Sequence, residues 1–224
     1  MRYDSVRRGL FLARPNRFIA HVEVEGRPVV CHVKNTGRCR ELLTPGATVV
    51  LAGADSTGRK TAYDLIAVYK GGRLINMDSQ APNRVAADYL PRLFPSLTRV
   101  RPECRHGDSR LDFYVEAGER RIFLEVKGCT LEREGAALFP DAPTARGVKH
   151  LQTLTALQQA GYEGWVLFVV QFKGARCFLP NDETHPAFGK ALREAAAAGV
   201  QVRAVDCRVT EDSLACDQPV PVRL

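Results

Sequence analysis

Hydrophobic and polar residues alternate with a period of two in the first third of the chain. From Phe18 to Val24 the even-numbered residues are apolar and polar residues stand at 21, 23 and 25, which predicts a half-buried strand. Further strands are predicted at 28–33 and 48–52, and a hairpin over 63–77 turns at Gly71-Gly72. Five or so short strands within about 70 residues favour a small barrel. The oligonucleotide-binding (OB) fold is the leading candidate, and other small barrels fit nearly as well.

The pattern changes after residue 80. Residues 83–90 predict a short helix that Pro91 ends, and 91–98 predict a linker. In the rest of the chain, strands are predicted at 99–105, 110–116, 121–127, 165–172 and 200–205, and helices at 146–160 and 186–198. The strand at 165–172 is nearly all apolar and is expected to be buried on both faces. Pro102 lacks a backbone donor, so the first of these strands is expected at a sheet edge. We therefore predict a barrel domain at 1–80 and, at 81–224, an α/β or α+β domain with helices on a mixed sheet.

The composition is that of an ordinary soluble protein, with 45% of the 224 residues hydrophobic and 25% charged. No apolar run approaches the roughly 20 residues of a membrane-spanning helix. Arg7 and Arg8 interrupt any signal-peptide core. The seven cysteines are odd in number and show no CxxC spacing, which indicates free thiols in a reducing compartment. We expect a cytoplasmic protein with no membrane partner.

The net charge of +7 is concentrated in the first third of the chain. Residues 1–80 carry 13 Lys and Arg against 7 Asp and Glu, whereas residues 81–224 carry 19 against 18. Arginine predominates, and guanidinium groups suit phosphate oxygens well. The imbalance suggests contact with a polyanion, but a solvated surface in a protein rich in arginine explains the charge equally well.

Three ionisable residues on two neighbouring predicted strands form the candidate catalytic group. Glu125 and Lys127 share one face of their strand because side chains alternate. A two-residue type II′ loop at Gly118-Glu119 would join this strand to the preceding one. The register that follows places Asp112 directly opposite Glu125, with Cβ atoms roughly 4.5–5.5 Å apart.

Two facing carboxylates raise each other's pKa unless a cation lies between them. Mg²⁺ is the natural occupant, because it prefers oxygen ligands and binds through one or two carboxylates plus waters. Asp112 and Glu125 are therefore predicted metal ligands, and Lys127 completes the catalytic group by assisting water attack or steadying a phosphoryl oxygen. The spacing D-x12-E-x-K matches the PD-(D/E)XK constellation of Mg²⁺-dependent nucleases. The residues alone also allow a solvated polar face with an ordinary Glu–Lys pair.

Longer motifs surround these residues. They are Ser109–Phe113, Leu124–Leu131 and Phe139–Leu151 in the second half, Arg14–Ala20 and His32–Gly37 in the first half, and the pair Asn83-Arg84 between them. Together they resemble the motifs of the sugar fermentation stimulation protein A (SfsA) family, over a match that runs from near residue 9 to the C-terminus.

The resemblance implies an N-terminal OB fold joined to a PD-(D/E)XK nuclease-like domain. It also implies DNA binding, in a bacterial family named for an effect on sugar utilisation. It carries the nuclease-type core onto Asp112, Glu125 and Lys127. Two positions depart from the family pattern: Ala145 stands where a glutamate is usual, and Val148 where a polar residue is frequent. If those polar groups hold metal or DNA, this chain is expected to be weaker in that role.

Basic and polar residues of the barrel form the candidate DNA interface. Phosphate contacts are predicted for Arg14, Arg17, Lys34, Arg38 and Arg40. The loop Asn35-Thr36-Gly37 is predicted to bind phosphate through its N–H groups and hydroxyl, although turn chemistry explains it equally well.

Two further pairs of residues are candidates for this DNA interface. Lys149 and His150, in the helix after Lys127, are predicted to meet the phosphate backbone near the metal. Phe11 and Phe18 could stack on bases, and we expect at least one of them in the core instead.

The first hypothesis is therefore a DNA-binding protein with a Mg²⁺-dependent nuclease site, acting on DNA that is double-stranded and held largely through phosphates. The second is a DNA-binding protein or regulator affecting sugar metabolism, whose nuclease-like domain is idle; no helix-turn-helix signature is visible. A third is an RNA or small-molecule role, since OB folds bind those ligands too.

Overall fold

The computed structural model of the chain describes residues 1–35, 37, 39–53 and 61–224. Its first sheet has six strands, β1 (Val6–Asn16), β2 (Ile19–Val24), β3 (Arg27–Val33), β4 (Thr48–Gly53), β5 (Tyr63–Lys70) and β6 (Arg73–Asn76). They lie in the order β3-β2-β1-β4-β5-β6, and a parallel pairing of β3 with β5 closes the first five strands into a barrel. The predicted OB-like barrel is confirmed.

Alternating burial fills the barrel interior. On β2, Ala20 and Val22 are fully buried and Val24 is nearly so, as the period-two pattern predicts. Strand β1 differs, because Phe11 points inward while Leu10 and Leu12 are 44% and 40% exposed. Consecutive apolar residues on both faces erase the alternation, so the pattern does not predict β1 as a strand.

The second part of the chain contains three helices and nine strands. In chain order these are α1 (Ala81–Leu93), β7 (Leu97–His106), β8 (Ser109–Ala117), β9 (Arg120–Cys129), β10 (Leu131–Arg133), β11 (Ala136–Phe139), α2 (Ala145–Gln159), β12 (Glu163–Val170), β13 (Cys177–Pro180), α3 (Pro186–Ala197), β14 (Gln201–Val209) and β15 (Leu214–Val220). A six-stranded mixed sheet has the order β15-β14-β12-β9-β8-β7, and β10, β11 and β13 form a small separate sheet. The predicted mixed sheet with flanking helices is confirmed, and β7 lies at its edge as Pro102 predicts.

The helices cover opposite faces of the mixed sheet. Helix α1 packs Val85 and Leu90 in the same hydrophobic cluster as Leu124 of β9. Helices α2 and α3 belong to a second cluster, which contains Phe123 on the other face of β9. In the parts of the chain that the structure describes, no helix is both long and apolar enough to cross a membrane.

Helix α1 is longer than predicted. It continues through Pro91 to Leu93, whereas the sequence predicts an end at Pro91 and a linker from there. Proline removes one helical hydrogen bond, the one that the carbonyl four residues earlier would accept. That carbonyl belongs to Ala87, which is exposed, so water can replace the lost donor. The penalty for a proline in this last turn is therefore small.

A cluster of aromatic rings forms the core beneath α3. Phe168 of β12 is fully buried, and its ring centroid lies 3.9 Å from that of Phe178 and 5.5 Å from that of Phe139. We expect Phe168→Ala to lower the free energy of unfolding by about 3–5 kcal/mol, because it leaves a cavity among packed rings. Urea denaturation measures this loss. Phe18→Ala is the control, since that side chain is 50% exposed and should change stability by less than about 0.5 kcal/mol.

A buried polar network joins the barrel to the mixed sheet. The Nε2 of Gln171 donates to Asn76 Oδ1 at 2.9 Å and to the carbonyl of Asp78 at 3.0 Å, and Gln171 O accepts from the backbone N–H of Asn76 at 2.9 Å. Lys34 Nζ lies 3.0 Å from Asp78 Oδ2. The network therefore fixes the barrel loop after β3 beside the second domain.

Candidate functional site

The β8–β9 hairpin presents the predicted catalytic group. Its register runs from Ala117 opposite Arg120 to Phe113 opposite Leu124, as the sequence predicts, and Gly118 begins the turn with φ 62°. The ladder then stops. The predicted direct pair of Asp112 with Glu125 is wrong, because β8 and β9 diverge after Phe113 and Asp112 Oδ2 accepts the N–H of Val126 at 2.8 Å. The carboxylate occupies a position that a strand carbonyl would otherwise take.

Asp112 is held from two sides at this divergence. Asn83 of α1 donates to its Oδ1 at 2.8 Å, and Val126 N–H binds its Oδ2. Burial raises the pKa of Asp112, and the negative charge of Glu125 raises it further. Asp112 therefore lies beside Glu125, because it binds the backbone N–H of the residue that follows Glu125.

Glu125 is the most deeply buried member of the group, with 3% of its surface exposed. Its Oε1 accepts two hydrogen bonds of 2.5 Å, from Lys127 Nζ and from His150 Nδ1. Burial alone would raise the pKa of Glu125, but the hydrogen bond from His150 and the positive charge of Lys127 outweigh burial and hold this pKa below its usual value. Glu125 is therefore ionised at neutral pH.

The second oxygen of Glu125 indicates what the site is built to hold. Oε2 is buried, and it has no hydrogen-bond partner among the residues that the structure describes. A buried carboxylate oxygen without a donor is costly unless a cation satisfies it. Asp112 contributes further oxygens nearby, and a hard divalent cation prefers such ligands. The donor set fits Mg²⁺.

The protein supplies only part of a coordination shell. Within the described ranges, no group of three or more His, Cys, Asp or Glu side chains is arranged to hold a metal ion. An ion between Asp112 and Glu125 would take its remaining ligands from water and substrate, as Mg²⁺ usually does at phosphate-processing sites.

Sequence reasoning missed one contributor to this site, Asn83, and assigned a different role to another, His150. Asn83 binds Asp112, and the only signal for it is its place in a family motif. His150 is buried against Glu125, with 4% of its surface exposed. The predicted contact of His150 with the DNA backbone is therefore wrong, because a buried ring cannot reach a phosphate. The spacing of Gly147, His150, Leu151 and Leu154 on the inner face of α2 was a signal for this burial.

The residues predicted to bind DNA in the barrel have different surroundings. Arg17 is exposed, with its guanidinium 5.9 Å from the Phe18 ring centroid. Arg14 is half-buried and donates to the carbonyls of Arg17, Asn35 and Gly37 at 2.6–2.8 Å, which braces the loop.

Lys34 and Asn35 are engaged within the protein. Lys34 pairs with Asp78, and Asn35 donates to Met77 O at 3.0 Å and accepts from Gly37 N–H at 2.7 Å. Thr36 and Arg38 lie outside the described residues. In the second domain, Lys149 is exposed and donates to Asp108 O at 3.3 Å.

An open cleft of about 600 Å³ runs along the barrel. Arg14, Arg17 and Arg40 line it, together with the buried ring of Phe11. A second cavity of about 310 Å³ lies between the barrel and the mixed sheet. Both cavities are lined by Gly37 and Ala142, and the second reaches Gly128, next to Lys127. The basic cleft therefore adjoins the cavity between the barrel and the mixed sheet, and Asp112, Glu125 and Lys127 line neither of these two cavities.

The structure also describes the two phenylalanines of the barrel and the two positions that depart from the family pattern. Phe18 is 50% exposed, whereas Phe11 belongs to the core, so one of the two is buried as expected. Ala145 is exposed at the start of α2, and Val148 packs against the core.

Comparisons with known proteins agree with both halves of this architecture. The family model "SfsA N-terminal OB domain" matches residues 12–77, and "Sugar fermentation stimulation protein RE domain" matches residues 80–213. A sugar fermentation stimulation protein homolog from Desulfitobacterium hafniense (strain Y51) is 57% identical over 100% of this chain and 99% of its own. Its counterpart from Ruminiclostridium cellulolyticum is 49% identical over 100% of both chains. The solved structure of Pyrococcus furiosus SfsA in complex with Ca²⁺ matches with a TM-score of 0.88 at 27% identity, covering 100% of this chain and 98% of that chain.

Proposed function

The chain belongs to the sugar fermentation stimulation protein family, and from that premise we propose that it binds DNA and cleaves phosphodiester bonds with the help of Mg²⁺. In this proposal residues 1–80 form the nucleic-acid-binding barrel and residues 81–224 form the nuclease-like domain. The observation that carries the proposal is the buried Oε2 of Glu125, which has no donor in the described structure and lies beside a second carboxylate and a lysine.

Each residue of the site has a separate role in this proposal. Asp112 and Glu125 would hold the cation, while Asn83 and the Val126 N–H keep Asp112 in place. A bound divalent cation supplies charge neutralisation at the phosphodiester. Lys127 is 17% exposed, and its ammonium group would donate to a phosphoryl oxygen or orient the attacking water. The Ca²⁺ complex of the Pyrococcus relative supports binding of a divalent cation, and Ca²⁺ and Mg²⁺ both prefer oxygen ligands.

The barrel supplies affinity for the substrate. Arg17 and Arg40 are exposed along the cleft of the barrel, and guanidinium groups contact phosphates without reading sequence. We propose double-stranded DNA as the partner, held largely through its phosphates.

The direct test is incubation of the purified protein with plasmid and with labelled duplex, single-stranded DNA and RNA, in Mg²⁺, Mn²⁺ or EDTA. Cleavage of DNA that needs the divalent cation supports the proposal. Equal cleavage in EDTA contradicts it, and preferential cleavage of RNA would transfer the activity to that substrate.

A double substitution tests the role of the barrel. We expect Arg17→Ala combined with Arg40→Ala to reduce the slope of log affinity against log salt by about two, because two phosphate contacts are lost. Fluorescence anisotropy of a duplex between low and physiological salt measures the slope. The control combines Arg203→Ala with Arg223→Ala, two exposed arginines that do not line the cleft. An unchanged slope in the Arg17–Arg40 variant would remove the cleft from the interface.

One observation favours a second function, that of a DNA-binding regulator with an idle nuclease-like domain. The Lys127 ammonium group is engaged by Glu125 rather than directed at a substrate position. If the protein binds duplex DNA in a salt-dependent manner but cleaves no DNA in Mg²⁺ or Mn²⁺, this second function is supported.

A further inference from the structure

His150 occupies a position beside Glu125 that DNA contact does not explain. Its ring is 5% exposed, and Nδ1 lies 2.5 Å from Glu125 Oε1. On the other side of the ring, the Nε–H of Arg146 donates to Nε2 at 3.3 Å. Since Nε2 accepts a hydrogen bond, Nδ1 is the nitrogen that carries the proton towards Glu125. Arg146 and His150 are one helical turn apart on α2, so the helix holds both in register.

The two oxygens of Glu125 therefore have opposite surroundings. Oε1 accepts from His150 and Lys127, while Oε2 has no donor in the described structure. A partial rotation of the carboxylate, out of its present plane, would break the bond to His150 and turn the donor-free oxygen away from its present direction. A donor that is fixed by its own helix thus keeps Oε2 turned to the position where a cation would bind.

We propose that His150 is a positioning residue, which orients Glu125 so that Oε2 faces a divalent cation. This proposal rests on the proposed metal-dependent function. His150 and Lys127 both donate to Glu125, but only the hydrogen bond from His150 is expected to persist when substrate binds. The His150 side chain is 5% exposed and is anchored by Arg146, whereas the Lys127 side chain is 17% exposed and is needed by the substrate. When Lys127 turns to a phosphate, His150 keeps Glu125 in place. Residues that orient a metal ligand in this manner typically change metal affinity by about 10–100-fold when they are replaced.

Two substitutions at His150 separate orientation from space filling. His150→Leu retains an apolar side chain of related size and removes the donor. His150→Asn is smaller but places an amide N–H close to the position of Nδ1. We expect the Kd for Mn²⁺ to rise about 10–100-fold in His150→Leu and to return to within a few-fold of wild type in His150→Asn. Isothermal titration with Mn²⁺ alone, in the full chain and without DNA, measures both values.

The exposed Gln152 of α2 provides the control, and Gln152→Ala should bind Mn²⁺ as wild type does. Arg146→Gln is an exposed substitution that keeps the test decisive if His150→Leu does not fold. It removes the hydrogen bond that the Arg146 Nε–H donates to Nε2 of the His150 ring, and we expect it to raise the Kd for Mn²⁺ several-fold.

The proposal is overturned if His150→Leu binds Mn²⁺ as tightly as wild type, or if leucine and asparagine weaken binding equally. In the absence of a folded His150→Leu, an Arg146→Gln variant with wild-type affinity overturns it. If the wild-type protein binds Mn²⁺ but cleaves no DNA, the proposed nuclease function is wrong. The proposal for His150 is then still decided by these Kd values.

Discussion

Replacing Asp112 by asparagine should lower the rate of Mg²⁺-dependent DNA cleavage by about 10³-fold, while the affinity for DNA stays near that of wild type. Charge neutralisation by a metal is worth several kcal/mol in the transition state, and about 4 kcal/mol corresponds to three orders of magnitude. The substitution would leave Glu125 as the only anionic side chain of the predicted ligand pair. DNA affinity should persist because the proposed phosphate contacts are made by arginines of the barrel cleft, away from Asp112.

The same substitution should leave the fold intact. Burial and the charge of Glu125 raise the pKa of Asp112, so the folded protein disfavours the ionised form of this carboxyl. A neutral side chain of the same shape removes the repulsion, and its carbonyl oxygen can still accept from the Val126 N–H. Its amide N–H then faces Asn83, and that exposed side chain can turn its own amide oxygen to accept the hydrogen bond. We therefore expect a thermal midpoint equal to or above that of wild type.

Single-turnover cleavage of a labelled duplex at saturating Mg²⁺ measures the effect, with anisotropy reporting DNA affinity on the same samples. Asp108→Asn is the matched control, because that aspartate is exposed in the turn between β7 and β8. Its rate should equal the wild-type rate. If Asp112→Asn cleaves as fast as wild type, the cleavage comes from another site or from a contaminating nuclease.

Local rules predict the parts of this site that depend on one or two strands. Side-chain alternation places Glu125 and Lys127 on one face, and a two-residue turn at Gly118 sets the hairpin register. The divergence of β8 and β9 after Phe113 does not follow from these rules. At this point Asp112 is bound by Asn83, which lies on a helix and 29 residues earlier in the chain, so the arrangement involves a contact that local rules do not include.

For His150 of α2, the sequence likewise predicts only part of the environment. Helical spacing puts His150 on the inner face with Leu151 and Leu154, so its burial is readable from the sequence. Its partner is not, because contact with Glu125 requires α2 to lie across the opening between two strands. Helix α1 illustrates the reverse case. The rule for proline predicts an end at Pro91, whereas the helix continues to Leu93, and the residue whose carbonyl loses its donor, Ala87, is exposed.

Replacing Lys127 by methionine should reduce cleavage by about 10²–10³-fold without weakening Mn²⁺ binding. The ammonium group donates to Glu125 Oε1, but His150 donates to the same oxygen and would keep the carboxylate in place. Methionine retains an unbranched side chain and removes a positive charge that repels a cation, so the Kd for Mn²⁺ should stay equal or fall. This outcome differs from the one expected for His150→Leu, in which metal binding itself weakens by about 10–100-fold.

The split between rate and metal affinity identifies Lys127 as a catalytic residue rather than a structural partner of Glu125. Single-turnover kinetics give the rate and titration gives the Kd, with Lys190→Met as the control because that lysine is 77% exposed on α3. Lys127→Arg should not restore the rate, since a planar guanidinium cannot place its donors where a compact ammonium does. Parallel loss of cleavage and Mn²⁺ binding in Lys127→Met would instead mean that Lys127 serves Glu125 and never turns to the substrate.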